Sequence, residues 1–261
     1  MIMYPVYDPN SNHNYYFNNN NPNNNYPNFI YDNFDHFEDK KLRKKFVIKT
    51  LSTFSVSLFT TLGFCVGFKN LPNMDLFVHS ELGQALSILS FSTTMLTMFV
   101  CLCCDELLRK SPSKYIIYSL FVLSISYSLG ITSIYIKTDI LYTSILITTG
   151  TTTSLILYSF ITTVDFTEYY TYLFAIFISL IFISIVNLFF HNSIIQIIIS
   201  GSGALIFACF IVLDMQMIIG RKHIRYRYSI DDYIFAAMSL YLDVINMFIY
   251  VMECLTLTTS D

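Results

Sequence analysis

Seven runs of about twenty predominantly apolar residues occupy most of this 261-residue chain. They lie at 46–68, 85–104, 115–136, 140–163, 169–190, 194–219 and 233–255. The hydrocarbon core of a bilayer is crossed by about 20 helical residues, so each run is long enough for one transmembrane helix. Only 13% of the residues are charged, against about 25% in average soluble domains. The sequence therefore predicts an all-α membrane protein, a bundle of seven transmembrane helices.

Residues 1–39 differ in composition from the rest of the chain, because they are rich in Asn, Tyr and Pro. Such a segment buries too little apolar surface to fold, so we expect a disordered tail at 1–39 and a seven-helix domain at 40–261. The tail has no apolar signal-peptide core, and the first run is predicted to act as an uncleaved signal-anchor. Recurring Tyr and Pro leave a second interpretation open, a docking segment for a cytosolic partner.

Positive charge predicts the orientation of the bundle, since cytosolic connections carry an excess of Lys and Arg. Basic residues cluster at 40–45, at 109–114 and at 221–227, before the first run, after the second and after the sixth. Seven successive crossings place all three clusters on the same side of the membrane. We therefore expect a cytosolic N-terminus. Seven crossings place the C-terminus on the far side, whereas a re-entrant last run would return it to the cytosol. The short connections at 136–142 and 190–194 predict that the helices they join are antiparallel neighbours.

Two aspartates lie inside the last two apolar runs, Asp214 in IVLDMQMII and Asp243 in SLYLDVINMF. A charged carboxylate at the centre of a bilayer costs at least ~2.5–3.5 kcal/mol on insertion scales. A membrane helix usually keeps such a residue with a partner, a proton or an ion. Two of them on consecutive helices therefore indicate a functional site.

Helical spacing predicts which residues share a helix face with each aspartate. On the seventh run, one face carries Ser239, Asp243, Asn246 and Tyr250. On the sixth run, the face of Asp214 also carries Ser200, Gly203 and Phe207. The two small residues let a neighbouring helix approach closely, whereas the bulky Phe207 could hold the helices apart near the aspartate. The pattern permits the two faces to pack without showing that the carboxyl groups meet.

Two carboxyl groups within hydrogen-bonding reach cannot both ionise cheaply, so they would share a proton. Once deprotonated, they would offer hard oxygen ligands of the kind that Ca²⁺ prefers. The residues therefore predict a proton switch at which H⁺ and Ca²⁺ compete. The alternative is structural: one aspartate is satisfied by an Arg or a Tyr and serves packing alone.

Other functional classes find little support in the residues. The net charge of −3 argues against nucleic-acid binding. No phosphate-binding loop, HExxH motif or nucleophile beside a base occurs, so no enzyme and no cofactor is expected. Intramembrane aspartyl proteases carry YD and GxGD motifs, and this chain has no GxGD. The CxCC at 101–104 lies in an apolar segment without a nearby His, which disfavours zinc.

The C-terminal sequence resembles a known family. GALIFACFIVLDMQMIIG followed by SIDDYIFAAMSLYLDVINMFIYVMECL is similar to the signature of the transmembrane Bax-inhibitor motif family, in particular its lifeguard branch. FVIKTLSTFSVSLFTTLG at 46–63 and CCDELLRKSPSKY at 103–115 match as well. The resemblance implies a seven-helix fold in which the last helix is central and surrounded by the others.

The resemblance also implies a function. It makes Asp214 and Asp243 a di-aspartyl pH sensor that gates a Ca²⁺ leak across an intracellular membrane, the endoplasmic reticulum or Golgi, with the plasma membrane as an alternative. Arg109 is the nearest match to the family's arginine latch, although Asp105 and Glu106 also fit it into a local ion pair. Gln216, Ser239 and Asn246 are candidate neighbours of the pair.

Three hypotheses follow for the cellular role, all within a bilayer. The first is an anti-apoptotic Ca²⁺ leak channel, in which Ca²⁺ is the transported ion and H⁺ the regulator. The second is a membrane-embedded inhibitor of death signalling that binds death-pathway proteins, with structural aspartates. The third is a proton-coupled cation exchanger.

Overall fold

The computed structural model describes residues 28–103, 112–220, 228–229 and 232–259, without the side chains of 28–39 and 101–103. Within these residues, seven helices are long and apolar enough to cross a membrane. They are α1 (Asn28–Asn70), α2 (Glu81–Cys103), α3 (Ser113–Tyr135), α4 (Thr138–Ile161), α5 (Tyr170–Phe190), α6 (Ser193–Ile219) and α7 (Tyr233–Thr258). A short helix, Met74–His79, precedes α2, and a 3-10 turn, Phe166–Tyr169, precedes α5. The predicted seven-helix membrane bundle is confirmed.

Helix α1 extends further than its apolar run predicts. It begins at Asn28, and its membrane-spanning part is Lys40–Asn70. The residues between Asn28 and Lys40, NFIYDNFDHFED, are also helical, although they mix polar and aromatic side chains and form no continuous apolar run. Residues 28–39 of the predicted tail therefore belong to α1. The remainder of that tail prediction, at 1–27, lies outside the described residues.

The last helix is the centre of the bundle. Helix α7 packs against α1, α3, α4 and α6, with α6 as its most extensive neighbour. Ala236, Ala237, Leu240 and Tyr241 on α7 are completely buried. The centrality that the family resemblance implies is thus confirmed.

One of the two predicted helix pairs is present and the other is not. Helices α5 and α6, joined at 190–194, pack against each other as expected. Helices α3 and α4, joined at 136–137, do not pack closely, because α3 packs on α1 and α2 whereas α4 packs on α6 and α7. The prediction from the 136–142 connection is therefore wrong: a short connection fixes where two helices meet, but not the face that each one buries.

The outer surface is apolar. Large hydrophobic side chains are exposed on every described span, among them Phe59, Phe91, Leu146 and Phe189. A soluble protein would leave few such side chains in contact with water, and contiguous exposed apolar surface of this kind marks contact with lipid. The protein is therefore a multi-pass membrane protein in direct contact with the bilayer.

Buried hydroxyl groups connect α7 to its neighbours inside the bundle. Thr61 Oγ1 lies 2.8 Å from Tyr241 Oη and 2.9 Å from Ser126 Oγ, and so links α1 with α7 and α3. Ser57 Oγ and Tyr118 Oη, 2.6 Å apart, form a second link between α1 and α3. Polar groups in hydrocarbon require such partners, so these bonds fix the arrangement of the three helices.

Gly203 allows the close approach of α6 and α7. A Cβ atom at this position would lie 2.8 Å from Cδ1 and Cε1 of Tyr250 on α7. Phe207, one turn along α6, stacks on the same Tyr250 ring with centroids 5.8 Å apart. The small-residue face predicted from the sequence therefore receives an aromatic ring from α7.

Replacing Gly203 with alanine is expected to destabilise the bundle by about 1–3 kcal/mol, because the new methyl group forces the Tyr250 ring to move. Gly201 on the same helix is the matched control, since a Cβ atom there would meet no atom within 4 Å. Thermal unfolding in detergent should show a lower Tm for Gly203→Ala and an unchanged or higher Tm for Gly201→Ala. Equal Tm values for the two variants would contradict the close packing.

Candidate functional site

Asp214 and Asp243 meet between the two most extensively packed helices. Asp214 lies ~8 Å along the helix axis from the end of α6, and Asp243 lies ~15 Å from the start of α7. Their carboxyl groups are close enough for a side-chain hydrogen bond between them.

The two aspartates differ in the exposure of the whole residue. Asp214 is only 2% exposed, whereas Asp243 is partly exposed. Asp214 Oδ1 accepts a hydrogen bond from Tyr228 Oη at 3.3 Å, and Ser239 on α7 lies within hydrogen-bonding reach of the same carboxyl group. Asp214 Oδ2 is buried and accepts no hydrogen bond of standard geometry from the described residues. One oxygen of the buried carboxyl group is thus unpaired within the described residues.

Tyr228 belongs to the connection between α6 and α7. Burial, followed by the neighbouring Asp214 carboxylate, raises the pKa of Tyr228 well above its ordinary value. A tyrosine with a raised pKa stays neutral throughout the physiological range, so its hydroxyl group remains a hydrogen-bond donor. Tyr228 can therefore donate to the Asp214 carboxyl group throughout that range.

Arg43 of α1 ties that connection to the end of α6. Its guanidinium group donates to the carbonyl oxygens of Met217 at 2.5 Å, Tyr228 at 2.6 Å and Ile219 at 3.2 Å. The Tyr228 amide also donates to the Met217 carbonyl, at 3.2 Å. The last carbonyls of a helix lack partners within the helix and carry partial negative charge, so a cation there satisfies both needs. Arg43 therefore positions the backbone of the residue whose side chain bonds to Asp214.

Gly220 makes room for this arrangement. It ends α6 in the left-handed conformation, with φ of 60°, and its amide donates to the Gln216 carbonyl at 2.9 Å. A Cβ atom here would overlap the Arg43 guanidinium group. Glycine is therefore required both by the backbone conformation and by the space that Arg43 occupies.

Sequence reasoning missed the role of Arg43, although a signal was present. The buried positions of α1 that face the bundle are Phe46, Thr50, Phe54, Ser57, Thr61 and Cys65. Arg43 continues this face one turn before Phe46, with its guanidinium carbon 4.7 Å from the Phe46 ring centroid. Lys44 and Lys45 lie off this face and are exposed. The position of Arg43 on the buried face of α1 therefore distinguishes it from the other residues of the basic cluster.

Of the three other residues expected near the pair, one adjoins Asp214 and two bond elsewhere. Ser239 adjoins Asp214, as described above. Gln216 faces away: its Nε2 donates to the Val164 carbonyl at 2.7 Å, and its Oε1 accepts from the Phe166 amide at 2.8 Å. Asn246 donates to the Leu242 carbonyl of its own helix at 2.8 Å. Gln216 thus fastens the α4–α5 connection to α6, and Asn246 is occupied within α7.

Arg109, the latch that the resemblance suggests, lies outside the described residues, as do Asp105 and Glu106. Tyr170, at the start of α5, is an additional neighbour, because it lies within electrostatic range of both aspartates. Its ring packs edge-on against Phe210 of α6, with centroids 6.4 Å apart. The pair is therefore bordered by side chains from α5 and α7 and by the α6–α7 connection.

The chemistry of the donor set limits what the site could bind. Among the described residues, no group of three or more His, Cys, Asp or Glu side chains comes close enough to hold a metal ion. Two carboxyl groups alone provide up to four of the six to eight oxygen ligands that Ca²⁺ takes. Carbonyl groups or water would have to supply the others, which favours a transiently occupied site over a permanent one.

At the opposite end of the α6–α7 interface lies a second polar cluster. Gln196 Nε2 donates to Glu253 Oε1 at 2.6 Å, and Gln196 Oε1 accepts from Asn187 Nδ2 at 2.7 Å. These bonds join α5, α6 and α7. The same interface therefore carries carboxyl groups near both of its ends, with Tyr250 and Phe207 between them.

Comparisons with known proteins agree with the architecture. The model of a family described as "Inhibitor of apoptosis-promoting Bax1" matches residues 43–260. Protein lifeguard 3 of Homo sapiens is 27% identical over 222 residues, which cover 83% of this chain and 70% of the human protein. Protein LIFEGUARD 2 of Arabidopsis thaliana is 28% identical over 228 residues, covering 85% of this chain and 92% of the plant protein. The chain therefore belongs to the transmembrane Bax-inhibitor family and is similar to its lifeguard members.

Proposed function

We propose that this protein is a pH-sensitive Ca²⁺ leak channel that protects cells against apoptosis, and that Asp214 and Asp243 form its gate. The observation that carries the proposal is the contact of these carboxyl groups within the membrane, one of them 2% exposed and with an oxygen that lacks a conventional partner. A structural aspartate would instead be fully bonded, because an unsatisfied buried polar atom is costly.

A shared proton explains how such a pair can respond to pH. With one proton shared between them, the two carboxyl groups carry a single negative charge. A hydrogen bond between them then links α6 to α7. Without it, two like charges face each other in an apolar environment and repel, unless a cation enters between them. Protons and Ca²⁺ therefore compete for the pair, and Ca²⁺ occupancy falls as the pH falls.

The route proposed for the ion is the interface between α6 and α7. Asp243 lies nearer the start of α7, and Glu253 lies near its end. Between them the Tyr250 ring packs on Phe207 and against Gly203, so the described conformation is closed. Opening would require α7 to move relative to α6, which is the motion that repulsion between the two aspartates favours.

We further propose that the aspartate end of the bundle faces the cytosol of an endoplasmic-reticulum or Golgi membrane. Lys44, Lys45 and Lys49 are exposed at the end where α1 enters the span, and this is the end where Arg43 contacts α6. An excess of Lys and Arg is typical of cytosolic flanks. In this orientation the pair would respond to cytosolic pH.

The proposed cellular role rests on the family. The description of the family, inhibitor of apoptosis-promoting Bax1, and the lifeguard relatives support an anti-apoptotic role for this chain. Lowering the Ca²⁺ content of an intracellular store by leak is the mechanism that we propose for it.

Reconstitution of the full chain into liposomes tests the proposal. A Ca²⁺ indicator inside the liposomes should report a leak that changes with external pH and is absent from protein-free liposomes. Asp139→Asn, at an exposed position at the start of α4, is a control that should behave like the wild type. Saturable, stoichiometric movement of H⁺ against Ca²⁺ would instead favour an exchanger, and no flux at all would favour inhibition through protein contacts.

Tyr228→Phe is expected to move the midpoint of the pH response upward by up to about one pH unit. The Tyr228 hydroxyl donates to Asp214 and so favours the ionised carboxylate. Without it, deprotonation requires a higher pH. The flux assay checks the shift, with the exposed Tyr172→Phe on α5 as control. A downward shift, or the same shift in both variants, would contradict the assigned contact.

A further inference from the structure

A cavity of about 300 Å³ lies between α1, α4 and α7. Helices α1 and α4 each pack on α7 but make little contact with each other, and the cavity is the space that remains between them. Val244, Ile245 and Phe248 of α7 form its floor, and α1 contributes Phe54 and Leu58. We call this space the threonine groove, after Thr148 and Thr152 of α4, which complete its wall.

The two threonines carry hydroxyl groups without partners. Thr148 and Thr152 are 5% and 4% exposed, and neither Oγ1 atom makes a hydrogen bond within the described structure. Neighbouring hydroxyls on α4 behave differently: Thr153 donates to the Thr149 carbonyl and Ser154 to the Gly150 carbonyl, both at 2.8 Å. Because buried polar groups are nearly always bonded, two unpaired hydroxyls one turn apart in one groove require an explanation.

The groove opens to the bilayer and lies at its middle. Phe59, 74% exposed, and the exposed residues Ser55, Thr149 and Thr153 form its outer rim. Thr148 and Thr152 lie on either side of the midpoint of α4, within ~4 Å of it along the helix axis. A ligand that enters from the side must therefore be dissolved in the hydrocarbon region of the membrane.

The lining restricts the chemistry of that ligand. No Asp, Glu, Lys, Arg or His side chain is among the described residues that line the groove, so a charged head group would find no partner there. The apolar walls accept a hydrocarbon chain, and a volume of about 300 Å³ is at the lower limit of small-molecule sites. The unpaired hydroxyls add a requirement for one oxygen atom at mid-chain.

We propose that the threonine groove binds the hydrocarbon chain of a bilayer lipid that carries a hydroxyl or keto oxygen near its middle. The oxygen would bond to Thr148 and Thr152, and the remainder of the chain would fill the apolar space above α7. This site is separate from the aspartate pair, and the proposal does not depend on Ca²⁺ transport.

Competitive binding to the full-length protein in nanodiscs tests the proposal. The probes are stearic acid with a mid-chain hydroxyl group and unsubstituted stearic acid, present in equal amounts. Native mass spectrometry of protein released from the nanodiscs measures how much of each acid remains bound. Wild-type protein should prefer the hydroxylated acid by roughly 2- to 12-fold, which corresponds to one net hydrogen bond.

Three variants make the result specific. Valine has nearly the shape of threonine, so Thr148→Val and Thr152→Val should each reduce the preference, and the double variant should bind both acids equally while it still binds unsubstituted stearic acid. Thr132→Val on α3, which removes an exposed hydroxyl bonded to the Ser128 carbonyl and lies away from the groove, should retain the wild-type preference. The proposal is overturned if the wild type shows no preference or binds neither probe, if the double valine variant keeps the preference, or if Thr132→Val loses it equally.

Discussion

Arg43→Met is expected to destabilise the bundle by about 2–4 kcal/mol, because it removes a charged donor from three backbone carbonyls. Methionine keeps the apolar stem that packs near Phe46 but can donate no hydrogen bond. The carbonyl groups of the last turn of α6 and of Tyr228 would then have to accept hydrogen bonds from water or from backbone amides. The measurement is thermal unfolding of the purified protein in detergent.

The control is Lys44→Met, which removes a positive charge from the adjacent, exposed position. It should leave Tm nearly unchanged, since an isolated surface charge contributes little. Arg43→Lys should recover only part of the loss, because an ammonium group lacks the fork that reaches several carbonyls together. Equal losses in Arg43→Met and Lys44→Met would show that charge alone matters, and would contradict the assigned bonds.

Arg43 should also influence the aspartate pair through Tyr228. If Arg43 acts by holding the Tyr228 backbone, Arg43→Met should shift the pH midpoint of the leak in the same direction as Tyr228→Phe. The double variant should then shift the midpoint no further than the larger single shift, since both changes remove the same contact. Additive shifts would indicate that Arg43 acts on the pair by another route.

Apolar run length was sufficient to predict the seven helices and the membrane environment, because the bilayer imposes a minimum span on each helix. Helical phase also permitted the faces that carry Asp214 and Asp243 to pack together, and their helices, α6 and α7, form the most extensive contact in the bundle. The start of α1 at Asn28 was not apparent, since a polar helical extension leaves no hydropathy signal. The separation of α3 from α4 was not apparent either, because it depends on which neighbours each helix buries.

The surroundings of the pair were harder to predict than the pair itself. Tyr228 lies in a polar connection without periodicity, so no local pattern indicated that its hydroxyl turns toward Asp214. Gln216 stands two residues from Asp214, yet its amide bonds to the α4–α5 connection. Adjacent positions on a helix point in different directions, and only the tertiary arrangement shows which neighbour each one meets.

Asp214→Asn and Asp243→Asn are each expected to abolish the pH dependence of Ca²⁺ leak. Either change removes one of two coupled carboxyl groups, so no proton remains to be shared. The asparagine amide can donate a hydrogen bond to the remaining carboxylate, which replaces like-charge repulsion with attraction. Asparagine is nearly isosteric with aspartate, so we expect both variants to fold.

The double variant separates a coupled pair from two independent groups. If Asp214 and Asp243 act as one unit, Asp214→Asn/Asp243→Asn should be as insensitive to pH as either single variant. If the two groups acted independently, each single variant would keep part of the pH response, and only the double variant would lose it entirely. Glu253→Gln, which removes the carboxylate at the other end of the interface, should retain the wild-type pH response.

The most direct test of the aspartate gate is the ratio of Ca²⁺ leak rates at about pH 6 and about pH 8 in liposomes that contain equal amounts of wild type, Asp214→Asn or Asp243→Asn. We predict a ratio clearly different from one for the wild type and close to one for both variants. Wild-type ratios in both variants, from protein shown to be folded by its thermal transition, would contradict the assignment of the gate to this pair.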